Sequence, residues 1–358
     1  MKRIIAHLDM DAFFAAIEER DTPRFKGMPL VIGADPKEGR GRGVVSTASY
    51  KAREYGIRSA LPITRAWKLA EAARARSEPA TIFLPVDMKK YSRVSDEIFE
   101  ILKKYVPHVE GASIDEAYLD LSFTKSYAKA AELAQKIKSE IKRKEKLSAS
   151  VGIGPNKLIA KIASDRQKPD GLTIITEKDV ESFLEPLSIR TLPGIGPKTE
   201  RFFQEKGIKT LRDLQKYSLE ELQTFMGKWG KDLYERIRGR DESPIIEEWE
   251  VKSIGEQETF EEDTLNSGFI VERLQALCRG VIKRFQQEDF TAFRTVALTV
   301  RFENFTTKSR AHTLENPTAL EEVLWREALK LLMPFFDVRE NPKKYRIRLI
   351  GIRIEKLV

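Results

Sequence analysis

Two adjacent carboxylates, Asp115 and Glu116, lie in a stretch of small and apolar residues that alternates like a β-strand. A third carboxylate, Asp9, ends another strand-like run near the start of the chain. Two such strands in one sheet would bring three oxygen ligands together, partly out of water. Buried carboxylates that lack a lysine or arginine partner usually bind a metal ion, and oxygen ligands suit Mg²⁺ or Mn²⁺. The sequence therefore predicts a divalent-metal site.

Each of these carboxylates also has a simpler interpretation. A solvated turn is the alternative for Asp115 and Glu116. Asp11, two residues after Asp9, is predicted to be the N-cap of a helix that begins at about Ala12. Strict alternation would turn Asp115 and Glu116 to opposite faces of a strand, so we expect a bulge or a strand-end turn at this point.

The composition favours a polyanionic partner. The chain has 358 residues, enough for two to four domains, and its 63 Lys and Arg against 55 Asp and Glu give a net charge of +8. Its single cysteine, Cys278, excludes an intramolecular disulfide framework and suits a reducing compartment. The sequence shows no signal peptide and no apolar run of membrane-spanning length, so we expect a soluble, cytoplasmic protein with no membrane partner.

The pattern up to about residue 175 predicts a sheet backed by helices. Strands are predicted at 3–10, 44–47, 112–121, 149–153 and 172–175, and helices from about 12 and at 51–55, 63–75, 89–105 and about 130–141.

A sharp turn, Leu192–Thr199, follows in a region of short helices. Its prolines and glycines favour a tight turn with exposed backbone N–H groups, and the N-terminus of the next helix favours an anion. The motif resembles a helix-hairpin-helix, which binds the DNA phosphate backbone whatever the sequence, and a plain turn between two helices is the alternative. Gly227–Lys231 is a candidate second copy. The residues expected to face DNA are Gly194, Ile195, Gly196 and Lys198.

The C-terminal part, 251–358, has the pattern β-α-β-β-α-β, which gives a four-stranded sheet with both helices on one face. Basic side chains alternate along two of its strands, and we expect them on the free face, where they would bind duplex phosphates. They are Lys308, Arg310 and His312 in one strand and Arg346 and Arg348 in the last strand. A solvated sheet edge without a ligand is the alternative.

Four motifs follow one another along the chain: Asp9–Phe14, Ser46–Arg53, Ser113–Asp120, and Gly152–Asp165 with Lys168–Gly171. This ordered set resembles the Y family of lesion-bypass DNA polymerases, close to the DNA polymerase IV group, over essentially the whole chain. The resemblance implies an α+β multidomain fold, the right-hand polymerase architecture. Its parts are a palm (1–12 and 86–175), fingers (13–85), a helix-hairpin-helix thumb (176–242), a linker (243–250) and a βαββαβ little finger (251–358).

The resemblance implies a template-directed DNA polymerase that adds deoxynucleotides to a primer 3′-hydroxyl during translesion synthesis, with low fidelity and low processivity. It also implies two Mg²⁺ ions, for which Mn²⁺ can substitute, bound by Asp9, Asp115, Glu116 and the Met10 carbonyl. Primer-template DNA and deoxynucleoside triphosphates are the implied partners. A sliding clamp is a further candidate, and we expect a monomer.

The same resemblance assigns the nucleotide site. The residues implied to bind the triphosphate are Thr47, Tyr50, Arg53 and Lys168. Phe14 is implied to be the steric gate, whose ring occupies the space that a ribose 2′-hydroxyl needs, with Phe13 supporting it. Ordinary core packing is the alternative for both rings. Ser46, Ser59 and Ala60 are small residues at the expected roof of the nascent base pair, where they would leave room for a damaged template.

Two other classes of function fit parts of the chain. A nucleotidyl cyclase could share the palm carboxylates, but it has no use for the hairpin motif and a basic sheet. A non-catalytic DNA-binding protein would not require Asp9, Asp115 and Glu116 together with Lys168. Incubation with primed template, Mg²⁺ and deoxynucleotides separates the three, because only the polymerase extends the primer.

Overall fold

The computed structural model describes residues 3–358, so the first two residues of the predicted palm lie outside it. The strands are β1 (Ile5–Met10), β2 (Leu30–Gly33), β3 (Val45–Ala48), β4 (Ile82–Leu84), β5 (Val109–Gly111), β6 (Glu116–Asp120), β7 (Ala149–Gly154), β8 (Leu172–Ile174), β9 (Ser253–Thr264), β10 (Phe293–Phe302), β11 (Thr307–Thr318) and β12 (Ile347–Glu355). The α-helices are α1 (Phe13–Asp21), α2 (Tyr50–Glu54), α3 (Ile63–Ala75), α4 (Met88–Tyr105), α5 (Tyr127–Glu145), α6 (Lys157–Ser164), α7 (Val180–Leu184), α8 (Pro197–Gln204), α9 (Leu211–Gln215), α10 (Leu219–Met226), α11 (Trp229–Arg236), α12 (Ser267–Phe285) and α13 (Glu321–Leu332). Within residues 3–358, none of these helices has the length and apolar character needed to cross a membrane.

A five-stranded sheet with the order β5-β6-β1-β7-β8 carries the predicted palm. Strand β1 lies in the centre and pairs antiparallel with both β6 and β7, while β7 and β8 run parallel. Helices α4 and α5 bury one face of the sheet, and α6 packs on the other. Because both faces are covered, every residue of β7 is buried.

The close approach of α6 to β7 depends on Gly152. A Cβ atom at this position would lie 2.1 Å from the Ala160 carbonyl oxygen and 2.3 Å from the Ser164 backbone nitrogen. Only glycine leaves this space free without moving the helix. Helix α6 therefore rests on the strand backbone, and this brings Lys161 and Ser164 within reach of β1.

The fingers region contains a second sheet, with the order β3-β2-β4. Strand β2 pairs antiparallel with β3 and parallel with β4, and α2 and α3 complete a separate small core. The sequence analysis predicted only β3 of this sheet. Strands β2 and β4 were missed because they are only four and three residues long and show no alternation that distinguishes them from a loop.

Short helices, α7 to α11, follow the palm. The predicted tight turn is present: Gly194 has φ +93°, a value in the left-handed region that favours glycine, and Pro197 is the first residue of α8. The Arg190 guanidinium donates to the Ile195 carbonyl at 2.7 Å and ties the turn to the residues before it. Helices α10 and α11 form a second hairpin around Gly227 and Lys228.

The C-terminal residues form the predicted β-α-β-β-α-β unit, which confirms this part of the fold. The sheet has the order β11-β10-β12-β9, and α12 and α13 contact each other over one face. The core beneath them is apolar and includes Val296, Leu298 and Val300 of β10 and Ile350 and Ile352 of β12.

The predicted placement of Lys308 and Arg310 on the free face of this sheet is wrong. Lys308 pairs in register with Val300, and Arg310 pairs with Leu298. Cross-strand partners share a face, and both valine and leucine belong to the core beneath the helices. Lys308 and Arg310 therefore lie on the helix side of the edge strand β11, and so does His312, the register partner of the core residue Val296.

Ion pairs hold these three basic residues on the helix side. Lys308 Nζ lies 3.1 Å from Glu340 Oε2, and Arg310 Nε lies 2.5 Å from Glu340 Oε1. His312 Nδ1 lies 2.8 Å from the Glu327 carboxylate of α13. Alternation shows correctly that these basic residues share one face of the strand, but it does not show which face. On an edge strand, side chains on the helix side can extend past the helices into solvent, so charged residues are tolerated there.

Bulges also break the predicted alternation in β12. The register shifts between Ile347 and Leu349, so Ile347 belongs to the core beneath the helices, whereas Leu349 is buried but lies outside that core. Arg346 Nε contacts the Glu303 carboxylate at 2.8 Å. Arg348 lies over the Phe305 ring, with its guanidinium carbon 4.7 Å from the ring centroid.

The chain divides into two compact units. The first extends to Gly39 and then from Val44 to Glu248, and it contains the palm sheet, the fingers sheet and the short helices. The second consists of Trp249–Val358 with the segment Arg40–Gly43.

Candidate active site

The ends of two neighbouring strands bring the predicted carboxylates together. Asp9 near the end of β1 lies opposite Glu116, the first residue of β6. Asp115 lies in the bend before β6, where its carbonyl accepts a hydrogen bond from the Met10 N–H at 3.0 Å. The Ser113 hydroxyl donates to Asp115 Oδ1 at 2.6 Å and stabilises the bend. The expected strand-end turn is therefore present.

Two lysines neutralise two of these three carboxylates. Lys168 Nζ lies 2.6 Å from Asp9 Oδ2, and Lys161 Nζ lies 2.6 Å from Glu116 Oε2. The sequence analysis expected the carboxylates to lack such partners, and on this point it was wrong. Over residues 3–358, no group of three or more His, Cys, Asp or Glu side chains is arranged around a common metal position.

The electrostatics of the site nevertheless suit a divalent cation. Burial raises the pKa of the Asp9 carboxyl to about 7 against the attraction of Lys168, and the charges of Glu116 and Asp115 add to the rise. Three carboxylates and the Met10 carbonyl offer oxygen donors, the kind that Mg²⁺ and Mn²⁺ prefer. The residue types therefore fit such an ion, although among residues 3–358 the three carboxylates do not converge on one point and two of them contact lysines.

The Lys168 ammonium remains cationic. Burial lowers the pKa of the Lys168 ammonium, but the charge of Asp9 and hydrogen bonds to Asp165 and Asp9 outweigh burial, so the pKa is raised. On the other carboxylate, the His7 imidazole and the Lys161 ammonium hold the pKa of Glu116 below its usual range. Positively and negatively charged side chains are therefore in direct contact within the site.

His7 is a site residue that the sequence analysis missed. It is fully buried, and burial lowers the pKa of its imidazole. His7 Nδ1 lies 2.8 Å from the Ser164 hydroxyl, and His7 Nε2 lies 3.6 Å from Glu116 Oε2 and 3.4 Å from Lys161 Nζ. Alternation in β1 was the available signal, because His7 and Asp9 share a face.

Asp11 does not cap helix α1, contrary to the prediction. The N-cap is Ala12, in the left-handed region at φ 46°, and it makes no side-chain hydrogen bond. Asp11 instead lies buried at 4% exposure, where Ser150 Oγ donates to Oδ1 at 2.7 Å and the Asp170 N–H donates to Oδ2 at 2.8 Å. The Tyr50 hydroxyl also donates to Oδ1, at 3.3 Å.

The two aromatic residues at the start of α1 differ in burial. Phe13 is 1% exposed and belongs to the palm core. Phe14 is half-buried, and its ring stacks on Tyr91 with centroids 4.2 Å apart and an interplanar angle of 11°. Tyr91 is itself fully buried and donates its hydroxyl to Glu18 at 2.7 Å. The Phe14 ring therefore rests on a rigid support.

The predicted triphosphate residues of the fingers lie at the end of β3 and in α2. Ser46 and Thr47 are half-buried in β3, and Tyr50 is the first residue of α2. Arg53 Nε donates to the Ala48 carbonyl at 3.0 Å, and its guanidinium carbon lies 4.7 Å from the Tyr50 ring centroid. Burial raises the pKa of Tyr50 to about 12, so its hydroxyl remains a donor.

A basic cleft of about 850 Å³, which the sequence analysis missed, lies between β6, α6 and α11 within the first compact unit. Its cationic lining residues are Lys157, Lys161, Lys228, Lys231, Arg236 and Arg240. Four acidic residues also line the cleft, so positive charge is in excess. Lys228 and Lys231 belong to the second hairpin motif of the sequence, but that motif gave no indication that they lie close to the palm residues of the cleft.

The free face of the C-terminal sheet carries small and hydroxyl side chains along β10 and β11. Thr295 and Thr313 are hydrogen-bonded at 2.9 Å across the strands, as are Thr299 and Ser309 at 3.2 Å. Two arginines also lie on this face, since their register partners, Leu349 and Ala297, lie outside the core beneath the helices. They are Arg301, which donates to Thr307 at 2.9 Å, and Arg353, which donates to Glu355 at 2.7 Å.

Family models match three parts of the chain. The model described as the impB/mucB/samB family matches residues 8–165, and that of the C-terminal domain of the same family matches residues 251–358. A model described as the DNA polymerase-iota thumb domain matches residues 190–241, which include both hairpins.

Curated relatives and solved structures extend over the whole chain. DNA polymerase IV 2 of Methanosarcina mazei is 41% identical over 357 residues, covering 99% of this chain and 93% of the relative. DNA polymerase IV of Leptospira interrogans is 39% identical over 355 residues, covering 98% and 95%. A Y-family DNA polymerase chimera, Dbh-Dpo4(243-245)-Dbh, superposes with a TM-score of 0.85 at 31% identity over 99% of both chains. An insertion ternary complex of Dbh DNA polymerase superposes with a TM-score of 0.66 at 30% identity, also over 99% of both.

Similarity of this extent covers the palm, fingers, thumb and little finger together, and it agrees with the ordered motifs of the sequence. The chain therefore belongs to the Y family of DNA polymerases, in the DNA polymerase IV group, and is a DNA-directed DNA polymerase that acts in translesion synthesis.

Proposed function

We propose that Asp9, Asp115, Glu116 and the Met10 carbonyl hold two Mg²⁺ ions, for which Mn²⁺ can substitute. Y-family polymerases depend on divalent cations. The observation that carries the proposal is the pairing of Asp9 with Glu116 across β1 and β6, with Asp115 in the adjoining bend. When bound, the two ions activate the primer 3′-hydroxyl and neutralise the triphosphate and its leaving group.

Lys168 has the position and charge to serve the incoming nucleotide. Its ammonium neutralises Asp9, and we expect the same ammonium to contact a triphosphate bound beside that carboxylate. Arg53 supplies a guanidinium from the fingers and Thr47 a hydroxyl. Tyr50 supplies a second hydroxyl, whose single proton points to Asp11 at 3.3 Å and would turn to a triphosphate oxygen when the nucleotide binds. Donors fixed in this way stabilise the negative charge that develops on the leaving pyrophosphate.

Selection of sugar and base follows from the size of the residues around the nucleotide. Phe14, supported by Tyr91 beneath and Phe13 beside it, would exclude a 2′-hydroxyl. Ser46 is small and half-buried, and Ser59 and Ala60 are small and exposed, so a damaged base would meet little steric resistance. The same openness weakens rejection of mispairs, and low fidelity is the expected result.

We propose that DNA is held mainly through its phosphates. In the thumb turn, Gly194, Gly196 and Lys198 offer backbone N–H groups and a cation at the start of α8. Ile195, which was also predicted to face DNA, is 4% exposed, and its N–H already donates to the Leu192 carbonyl at 3.1 Å, so it supports the turn instead. The basic cleft adds further cations. In the little finger, the free sheet face adds Arg301 and Arg353 beside its hydroxyl side chains. Arg346 and Arg348, a few residues before Arg353, are further candidates. Contacts of this kind are independent of base sequence and weaken with salt, which agrees with low processivity.

The catalytic carboxylates and the nucleotide residues lie within one compact unit of one chain, so we propose that a monomer is active. Chromosomal DNA in the cytoplasm is the proposed substrate. A sliding clamp, which would compensate for low processivity, is the proposed additional partner.

The metal assignment is tested by replacing Asp115 with Asn, which removes a ligand charge while keeping the shape of the side chain. We expect the rate of single-turnover primer extension to fall by roughly 100-fold or more. Loss of a residue that only hydrogen-bonds to a metal ligand typically costs about 10- to 100-fold, and loss of a ligand itself should cost more. Primer-template affinity should change little, because the phosphate contacts lie elsewhere.

Asp96→Asn is the matched control, since Asp96 is an exposed acid of the palm helix α4. It removes the same charge from the same domain and should leave the extension rate unchanged. An Asp115→Asn enzyme that extends primers as fast as this control would contradict the assignment of Asp115 as a metal ligand.

A further inference from the structure

The loop that carries Lys168 is fixed from below by buried hydrogen bonds. Two residues beyond Lys168, the Asp170 N–H donates to Asp11 Oδ2 at 2.8 Å. The next N–H, of Gly171, donates to Ser150 Oγ at 3.2 Å, and the Ser150 hydroxyl donates in turn to Asp11 Oδ1 at 2.7 Å. Asp11 and Ser150 thus bind two consecutive backbone N–H groups of this loop.

A buried lysine binds the carbonyl side of the same peptide segment. Lys138 of α5 is 5% exposed, and its ammonium donates to the carbonyls of Asp170 and Gly171 at 2.6 and 2.9 Å. It also lies 3.2 Å from Asp170 Oδ1. The backbone after Lys168 is therefore held on both its donor and its acceptor side, which restricts where the Lys168 ammonium can reach.

The same carboxylate also reaches the fingers. Asp11 Oδ1 accepts from the Tyr50 hydroxyl at 3.3 Å, and Tyr50 is covered by the Arg53 guanidinium. The buried Asp11 carboxylate is thus hydrogen-bonded both to Tyr50 of the fingers and to the palm loop that carries Lys168, the two sides of the proposed triphosphate site.

We propose that Asp11 is a positioning residue for the incoming nucleotide, which sets the separation between the Tyr50 hydroxyl and the Lys168 ammonium at the two sides of the triphosphate site. This inference rests on the proposed nucleotide-binding role of Tyr50 and Lys168. Asp11 is 4% exposed and both its oxygens already accept hydrogen bonds, so it acts through these two residues and does not itself touch the substrate.

Asp11→Asn tests the inference, because an amide offers one acceptor oxygen where the carboxylate offers two and places an N–H donor against one of the existing donors. Single-turnover extension measured against deoxynucleotide concentration gives the nucleotide Kd and the maximal rate separately. We expect the Kd to rise by about tenfold, the effect of losing one hydrogen bond to a charged group, with a smaller change in maximal rate.

Two further measurements should not change if Asp11 acts on the triphosphate alone. These are the affinity for primer-template DNA and the preference for deoxynucleotides over ribonucleotides, which depends on the sugar end of the site. A general loss of packing in the palm would alter both along with the nucleotide Kd, and that outcome would overturn the inference.

Glu110→Gln is the matched control for structural damage. Glu110 is also a buried acid of the palm, 2% exposed, that accepts hydrogen bonds from a lysine and from the Ile246 backbone N–H, but it lies away from the Lys168 loop. It should lower the unfolding midpoint without raising the nucleotide Kd. If Asp11→Asn does not fold, Ser150→Ala breaks the same network with a smaller change and should raise the Kd in the same direction.

A double mutant separates failure of this inference from failure of the proposed nucleotide site. If Lys168→Met leaves the nucleotide Kd unchanged, the proposed site is wrong, and the role of Asp11 falls with it. If Lys168→Met raises the Kd, then Asp11→Asn should add much less than tenfold in that background, because its effect passes partly through Lys168. A full tenfold addition in the double mutant, or no effect of Asp11→Asn alone, would overturn the inference while leaving the proposed site in place.

Discussion

Single buried polar side chains decide how the active site is held, and their partners are remote in sequence. Asp11 is hydrogen-bonded to Ser150 and to Asp170, which lie 139 and 159 residues further along the chain. A local pattern can suggest an N-cap for Asp11, but it carries no information about such partners. Asp9 and Glu116 were identifiable because their apolar context and their motifs are themselves local.

The same limit explains the lysines at the carboxylates. Lys168 was assigned to the triphosphate by its motif, and nothing in that motif shows that its ammonium lies 2.6 Å from Asp9. Lys161 was part of the fourth motif, Gly152–Asp165, with no role assigned to it. Helix α6 places it on Glu116 only because Gly152 lets the helix approach the sheet.

The sugar selectivity of the enzyme is expected to depend on Phe14. Phe14→Ala opens space beside the expected C2′ position without removing a carboxylate, so ribonucleotide incorporation should rise relative to deoxynucleotide incorporation. Loss of a steric contact of this size corresponds to a change of about tenfold or more in the ratio of the two kcat/KM values. An unchanged ratio would mean that another residue excludes the 2′-hydroxyl.

Two controls accompany this measurement. Tyr91→Phe keeps the ring that supports Phe14 and removes only the hydroxyl bound to Glu18, so the discrimination ratio should stay as in the parent enzyme. Phe13→Ala removes a core ring that is 1% exposed, and it should act mainly on the free energy of unfolding, by ~3–5 kcal/mol.

At the scale of strands and helices, periodicity predicted the order of most elements but not which face of a sheet their side chains occupy. The order of elements in the little finger agrees with the alternating and helical patterns, and α3 begins and ends at the predicted residues, Ile63 and Ala75. Alternation also grouped Lys308 with Arg310 correctly. It could not assign their face, because the apolar partners that define it, Val300 and Leu298, belong to another strand.

The packing of α6 on β7 is expected to be sensitive to a single methyl group. Gly152→Ala would place a Cβ 2.1 Å from the Ala160 carbonyl oxygen, so α6 must shift. We expect the free energy of unfolding of the first compact unit to fall by about 1–3 kcal/mol, the usual effect of overpacking a core. Extension should also slow, because Lys161 moves with the helix away from Glu116. Denaturant unfolding and single-turnover extension measure the two effects.

Gly268→Ala is the comparison, since Gly268 lies in helix α12, where a Cβ would meet only Asn266 Oδ1 at 3.4 Å. Alanine is a better helix former than glycine by about 0.5–1 kcal/mol, so this variant should be neutral or slightly stabilised. If Gly152→Ala were as stable as Gly268→Ala, the close contact between α6 and β7 would not be a constraint on the fold.

At the scale of the whole molecule, the segment predicted to be a linker is partly fixed to the palm. The Ile246 N–H donates to the buried Glu110 carboxylate at 2.8 Å, and Lys157 donates to the Pro244 carbonyl at 3.3 Å. His108 lies 2.7 Å from Glu247, and this hydrogen bond raises the pKa of the imidazole. The composition of 243–250 indicated a linker. These contacts come from residues 87 to 139 positions earlier in the chain, so the composition could not predict them.

Duplex binding by the little finger provides the test of which sheet face is used. Arg301 and Arg353 lie on the free face beside threonine and serine hydroxyls. Arg301→Ala with Arg353→Ala should weaken primer-template binding about equally for all sequences. The slope of log K against log salt should become shallower by about 0.9 for each phosphate contact that is lost.

The double substitution Lys308→Ala with Arg310→Ala removes the same number of positive charges from the opposite side of the sheet, where both residues share the Glu340 carboxylate. Because these cations are already paired and face the helix side, we expect their loss to leave the salt slope nearly unchanged. Extension at saturating DNA should proceed at the parent single-turnover rate in both double mutants, since neither touches the palm. Only the Arg301 and Arg353 variant should add fewer nucleotides per encounter, because its duplex dissociates sooner. The opposite result, with the shallower slope in the Lys308 and Arg310 variant, would place the DNA against the edge strand β11 instead of the free sheet face.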